Sequence, residues 1–141
     1  MRFDKDVPDI IQRAYEEKNS KWVASALFAM GRSADIRWKK HVLEKIPSQE
    51  NEIKIEAIRS AGELEIEAAR PLLLQMLKES IDGDDIRHTL IWALSKIGGG
   101  EIEEVFNNLL DNTDDEDEIE ILEMAFHNLN FSKNKQSFDM F

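Results

Sequence analysis

An all-α chain, built as an α-solenoid (alpha-alpha superhelix) of about four helix pairs, is predicted by three features of the 141-residue sequence. Apolar residues recur at steps of three and four, the spacing of a helix with one buried stripe. The whole pattern recurs at a period near 33 residues. Only three prolines and six glycines interrupt it, which leaves room for long helices.

The repeat is clearest in the middle of the chain. At an offset of 33, Ile53, Ala57, Ile58, Ala61 and Leu64 fall on Ile86, Leu90, Ile91, Leu94 and Ile97. The same offset carries Ala69, Leu72, Leu73, Met76 and Leu77 onto Ile102, Val105, Phe106, Leu109 and Leu110. Ten apolar positions sharing one offset is a specific signal of a stacked repeat. A further copy of the first half matches Leu122, Phe126 and Leu129 at an offset of 32, and a looser one sets Val23, Leu27 and Met30 about 34 residues before Ala57, Ala61 and Leu64.

The pattern predicts eight helices, near 6–17, 21–31, 35–46, 51–65, 67–80, 84–98, 101–112 and 117–130. Asp6 with Pro8 suits the start of the first. Gly31 suits the stop of the second, and Gly98-Gly99-Gly100 the stop of the sixth, where a left-handed residue is needed. Asp84-Asp85 and the acids from Asp114 to Glu118 complement the N-termini of the sixth and eighth. Short connections make successive helices antiparallel neighbours, and helix pairs at a fixed period make a solenoid. The expected organisation is one domain over 1–130, with pairs at about 6–31, 35–65, 67–98 and 101–130. Residues 131–141 lose the period yet keep Phe131, Phe138, Met140 and Phe141. They are expected either to cap the last pair, which terminal repeats require, or to form a tail that docks on another subunit or partner.

Composition narrows the function. Hydrophobic residues at 42% and charged residues at 33% describe a folded soluble chain, not a disordered one. No run approaches the roughly 20 apolar residues that a membrane span needs, so no membrane partner is expected. The opening MRFDKDVPDII lacks the apolar core of a signal peptide, and cysteine is absent. A cytoplasmic location is expected. The net charge of −11 repels phosphate backbones, which argues against nucleic acid. Charge is uneven: Arg32, Arg37, Lys39, Lys40 and Lys45 cluster in one stretch, whereas Asp111 to Glu120 holds seven acids and no base.

Segments such as DGDDIRHTLIWALSKIGGGEIEEVFNNLL and IKIEAIRSAGELEIEAARPLLLQML resemble HEAT repeats, in particular the short bacterial form found also in phycobilin lyases. An Asp-rich turn leads to an apolar-Arg pair, here Ile86-Arg87. An Ala/Leu-rich helix, a turn of small residues and a helix ending in Leu-Leu follow. The Ile53-Lys54 copy keeps the basic position, but its turn, SQENE, lacks the usual Asp. The resemblance covers about residues 21–130. It implies a concave face formed by the second helix of each pair, here 21–31, 51–65, 84–98 and 117–130, on which such solenoids commonly bind other proteins.

Catalytic chemistry is not indicated. His41, His88 and His127 fall on different helices at inequivalent repeat positions, and neither HExxH nor a His-Glu dipeptide occurs. Iron-binding HEAT-like hydroxylases depend on His-Glu pairs, so the resemblance does not extend to their activity. No metal or cofactor is expected. The turn from Asp114 to Glu118 lacks the alternating ligands and central glycine of an EF-hand loop and reads as a solvated, helix-capping turn. The glycines at 98–100 follow a helix rather than a strand and precede no Lys-Ser/Thr pair, so they end a helix and cradle no phosphate.

The register also predicts which side chains share the outer face of the second helices. Ser25, Arg59, Trp92 and Met124 form one row. Ala29, Glu63, Lys96 and Asn128 form the next, and Trp22, Glu56, Thr89 and Ile121 a third. Trp22, Arg59, Glu63, Trp92, Lys96 and Met124 are therefore the expected partner-binding residues. Trp92 has two readings: an interface anchor, since tryptophan and arginine carry a disproportionate share of binding energy, or a cover over the joint between repeats. Trp38 aligns with Leu72 and Val105 and is expected in the core.

The expected function is a non-catalytic protein–protein interaction scaffold or adaptor, binding a protein or peptide on the concave face. Its acidity favours a partner with basic patches through electrostatic steering. Resemblance supplies an alternative, a phycobilin-lyase-like subunit handling a tetrapyrrole. The C-terminal tail offers a further alternative, homodimerisation.

Overall fold

The computed structural model describes the backbone at residues 3–79 and 83–139, and side chains at 7–79 and 83–130. Over these residues it holds helices and turns and no strand. The helices are α1 (Phe3–Tyr15), α2 (Ser20–Ser33), α3 (Lys39–Lys45), α4 (Asn51–Glu63), α5 (Arg70–Glu79), α6 (Asp84–Ile97), α7 (Ile102–Asn112) and α8 (Glu116–Asp139). Short 3₁₀ turns, Ile36–Trp38 and Glu67–Ala69, lead into α3 and α5. The all-α solenoid class read from the sequence is the observed one. The chain divides into two compact units, the first ending at Ile66 and the second beginning at Glu67.

In the first unit α1 packs on α2, α3 on α4, and α2 on α4. Asn19 starts α2 by accepting the Lys21 N–H at 2.9 Å, and Asp35 starts the 3₁₀ turn by accepting the Arg37 N–H at 2.9 Å. Two expected helix ends are corrected here. α1 begins at Phe3, so Pro8 lies inside the helix, where the fold dispenses with one backbone N–H. Gly31 is not the stop of α2. The helix continues to Ser33, and Ala34 takes the left-handed conformation, φ 56°. Gly31 is needed for a different reason. A Cβ there would stand 2.7 Å from Ser60 Oγ and 3.0 Å from Ser60 Cα, so its missing side chain is what admits α4.

Small residues line this junction on both sides. Val23, Ala24, Ala26 and Leu27 of α2 and Ala57, Ile58, Ser60 and Ala61 of α4 are all buried, and each pair is 34 residues apart. The loose upstream copy is thus a true repeat by burial. Ser60, fully buried, donates its hydroxyl to the Leu27 carbonyl at 2.6 Å. Trp38 is 4% exposed, in the core where its alignment put it.

In the second unit α5 packs on α6, α6 on α7 and α8, and α7 on α8. Leu90, Ile91 and Leu94 of α6 and Phe106 of α7 are fully buried, at the positions the 33-residue offset marked. Each side chain of this kind contributes roughly 1.5–3 kcal/mol by leaving water. The glycine run ends α6 as expected: Gly98 (φ 70°) donates its N–H to the Leu94 carbonyl at 2.8 Å, and Gly99 follows at φ 124°. Arg70 crosses this turn and donates Nε to the Gly98 carbonyl at 2.6 Å.

Asp115 starts α8, its Oδ1 accepting the Asp117 N–H at 2.9 Å and the Glu118 N–H at 3.3 Å. The helix does not stop near 130 but runs on to Asp139, so 131–139 continue it as backbone. Met140 and Phe141, and the side chains of Phe131 and Phe138, lie outside the described residues, and with them the expected cap or docking tail.

Candidate functional site

The six residues singled out in the sequence fall three in each unit. In the first unit, α2 and α4 flank an open cleft of about 500 Å³ lined by Lys21, Ala24, Ser25, Phe28, Glu52 and Glu56. Arg59 of α4 reaches toward α2 beside it. The Arg59 guanidinium lies 4.6 Å from the centre of the Phe28 ring, a cation–π stack. It is held there by neighbours on its own helix, with Nε 3.0 Å from Glu56 Oε2 and Nη1 2.7 Å from Glu63 Oε1. Arg32 adds a looser contact to the same Glu63 oxygen at 3.8 Å. Arg59 and Glu63 are thus brought together as a pair. Trp22 stands on the same helix as Phe28 and is 58% exposed.

Phe28 was missed in the sequence reading, although it is 49% exposed and stacks on Arg59. Its place one turn beyond Ser25 was the available signal. A phenylalanine in a strongly periodic helix reads as core by default, and only the position of Arg59 shows otherwise.

In the second unit Trp92 is half-buried, between the two readings given to it. Lys96 stands one turn along, its ammonium 5.9 Å from the indole centre. Ser95, fully buried, donates its hydroxyl to the Trp92 carbonyl at 2.6 Å and accepts from Asn128 Nδ2 at 3.2 Å, which ties α6 to α8. Met124 on α8 is 61% exposed and lines a cleft of about 330 Å³ with Glu120, Glu123, His127 and Asn128.

Two titratable clusters lie apart from these faces. In the first unit the Tyr15 hydroxyl donates to Glu44 Oε2 at 2.7 Å and lies 3.1 Å from the His41 carbonyl oxygen. The His41 ring meets Tyr15 and Trp38 edge-on, both at 5.1 Å, so His41 serves an aromatic cluster. Burial first, then the hydrogen bond to Glu44 and its negative charge, push the Tyr15 phenol well above its ordinary value.

In the second unit Arg87 Nε donates to Glu118, which is 5% exposed. Burial raises the Glu118 carboxyl, but the Arg87 hydrogen bond, a second from Thr113, and the charges of Arg87 and His88 outweigh it and hold it below the usual range. The solvated turn expected at Asp114 to Glu118 is corrected at its last member. Glu118 occupies the register position of Ile86, 32 residues earlier, and is buried as that residue is.

Among the described residues no three His, Asp or Glu side chains gather as a metal site, and no helix is long and apolar enough to cross a membrane. The helix pairs, repeating with corresponding buried positions from copy to copy, define an α-helical repeat protein. Residues 40–130 match the family described as HEAT repeats, and the chain belongs to that family. A comparison with curated proteins finds no match.

Proposed function

We propose that the chain is a non-catalytic interaction module that binds a protein or peptide through the exposed side chains of its second helices, α2, α4, α6 and α8. HEAT repeats generally mediate protein–protein interaction, which supports the class of partner. The observation that carries the reading is Phe28, half-exposed in the open cleft and stacked on Arg59, with Trp22 exposed elsewhere on the same helix. Water-exposed aromatic area beside a pre-stacked arginine is the composition of an interface anchor. The Glu56 and Glu63 carboxylates fix the Arg59 fork before a partner arrives, so less side-chain entropy is lost on binding. Trp92, Lys96 and Met124 supply corresponding groups on α6 and α8.

Selection of ligands from a displayed peptide library against the full chain tests this. Winning peptides are then titrated against wild type and the Trp22→Ala, Arg59→Ala, Trp92→Ala and Met124→Ala variants. Loss of at least about tenfold in affinity at one or more of these positions is expected, the scale of an interface hot spot. Equal binding by all five proteins rejects the face. Addition of a linear tetrapyrrole discriminates the lyase-like alternative: a shifted visible spectrum would favour it over the module.

A further inference from the structure

The exposed side of α8 has a pattern of its own. Glu116, Glu120, Glu123 and His127 succeed one another at steps of four, three and four, so they share a stripe along the helix. Asp117, Ile121, Met124 and Asn128 form the adjoining stripe. Met124 is 61% exposed, and the cleft beside it is walled by Glu120, Glu123, His127 and Asn128. Among the described residues none of Glu116, Asp117, Glu120 or Glu123 has a cationic partner. Lys96, which the register places on the same row as Asn128, leans toward the Trp92 ring instead.

The last copy of the repeat therefore departs from its predecessors in a directed way. Position 123 corresponds to Ile58 and Ile91, which are both fully buried, yet it holds an exposed glutamate. An apolar contact point rimmed on one side by unpaired carboxylates excludes acidic partners and attracts cationic ones. Methionine suits the centre of such a site, because its unbranched, polarisable side chain adapts to different apolar anchors.

We infer that the α8 face is a docking site for a lysine- or arginine-rich peptide segment with one apolar anchor: the anchor sits on Met124 and the cations pair with Glu120 and Glu123. This deepens the interaction-module reading and rests on it, by naming the chemistry of the partner at one of its faces.

Two synthetic amphipathic peptides test it on the full chain, one with a lysine-rich polar face and a leucine stripe, the other with glutamate at every lysine position. Binding is followed by amide chemical-shift mapping of wild type, a Glu120→Gln/Glu123→Gln variant and Met124→Ser. All three substitutions are at exposed positions, and far-ultraviolet circular dichroism checks that helix content is unchanged. The lysine peptide is expected to shift amides between Glu120 and Asn128, and the glutamate peptide to shift none. The double variant should weaken binding about fivefold to tenfold, and raising salt from about 50 to about 500 mM should weaken the wild type more than the variant. Equal binding of both peptides, shifts confined to other helices, or undiminished affinity of both variants overturns the proposal. Library ligands that map to α2 and α4 while α8 stays unshifted would leave the module standing and remove only this site. No ligand at either face would remove both.

Discussion

Gly31 of α2 lies so close to Ser60 of α4 that a Cβ at position 31 would stand 2.7 Å from the serine hydroxyl oxygen and 3.0 Å from the serine Cα. The second distance is to backbone, which no rotamer change relieves. Gly31→Ala should therefore destabilise the first unit by about 2 kcal/mol, overpacking outweighing the better helix propensity of alanine. Adding Ser60→Ala should recover only part, since the clash with the backbone of α4 persists. Thermal or denaturant unfolding of the two variants measures this. A stabilised Gly31→Ala would mean that α2 and α4 approach less closely than described.

Glu118 gives the second unit a pH-dependent contribution. Its carboxyl titrates below the usual range in the folded chain, so folding favours the ionised form. That stabilisation is complete above the unfolded value of about 4.3 and is lost as pH falls through the lower folded value. Glu118→Gln should cost about 2–3 kcal/mol near neutrality, because the largely buried Arg87 guanidinium loses this carboxylate. The difference between the two proteins should shrink on acidification. Denaturant titrations at several pH values check it, and a constant difference down to pH about 2 contradicts the assignment.

Tyr15 is the chain's one tyrosine, so its ionisation is observed without interference. The phenol should ionise well above its ordinary value of about 10 in an ultraviolet pH titration of the folded protein. Glu44→Gln should bring it down, by removing the negative charge beside it. Since folding favours the neutral phenol, this stabilisation is present below pH about 10 and lost as pH rises toward the folded value. An unchanged titration in Glu44→Gln would place the cause in burial alone.

Two tryptophans should respond oppositely to truncation. Trp38 is buried against His41, so Trp38→Ala should cost about 3–5 kcal/mol. Trp22 is mainly exposed, so Trp22→Ala should stay within about 0.5 kcal/mol of wild type. Paired unfolding curves settle both. A large loss for Trp22→Ala would assign it to packing rather than to a partner.

Most of the fold was legible because it depends on one local rule. A helix that buries one face must place apolar residues at steps of three and four, whatever covers them. Hence Leu90, Ile91, Leu94 and Phe106 were identifiable as core before any neighbour was known. Of the candidate site, the register put Trp22 and Met124 on an outer face, and both are exposed. It could not show that Arg59 stacks on Phe28, because that contact depends on how two helices lie side by side.

The sequence by itself determined the helical class, the helix order and the repeat, since periodicity and turn residues act within a few positions along the chain. Only the tertiary structure decided that Gly31 admits a neighbour instead of ending a helix, and that Glu118 turns inward to Arg87. It alone brought Ser60 to the Leu27 carbonyl, 33 residues earlier in the chain. A glycine is equally suited to a turn and to a close approach, and a glutamate to solvent and to a buried arginine. Which use applies is set by the helix packed opposite, and that lies beyond the reach of any local pattern.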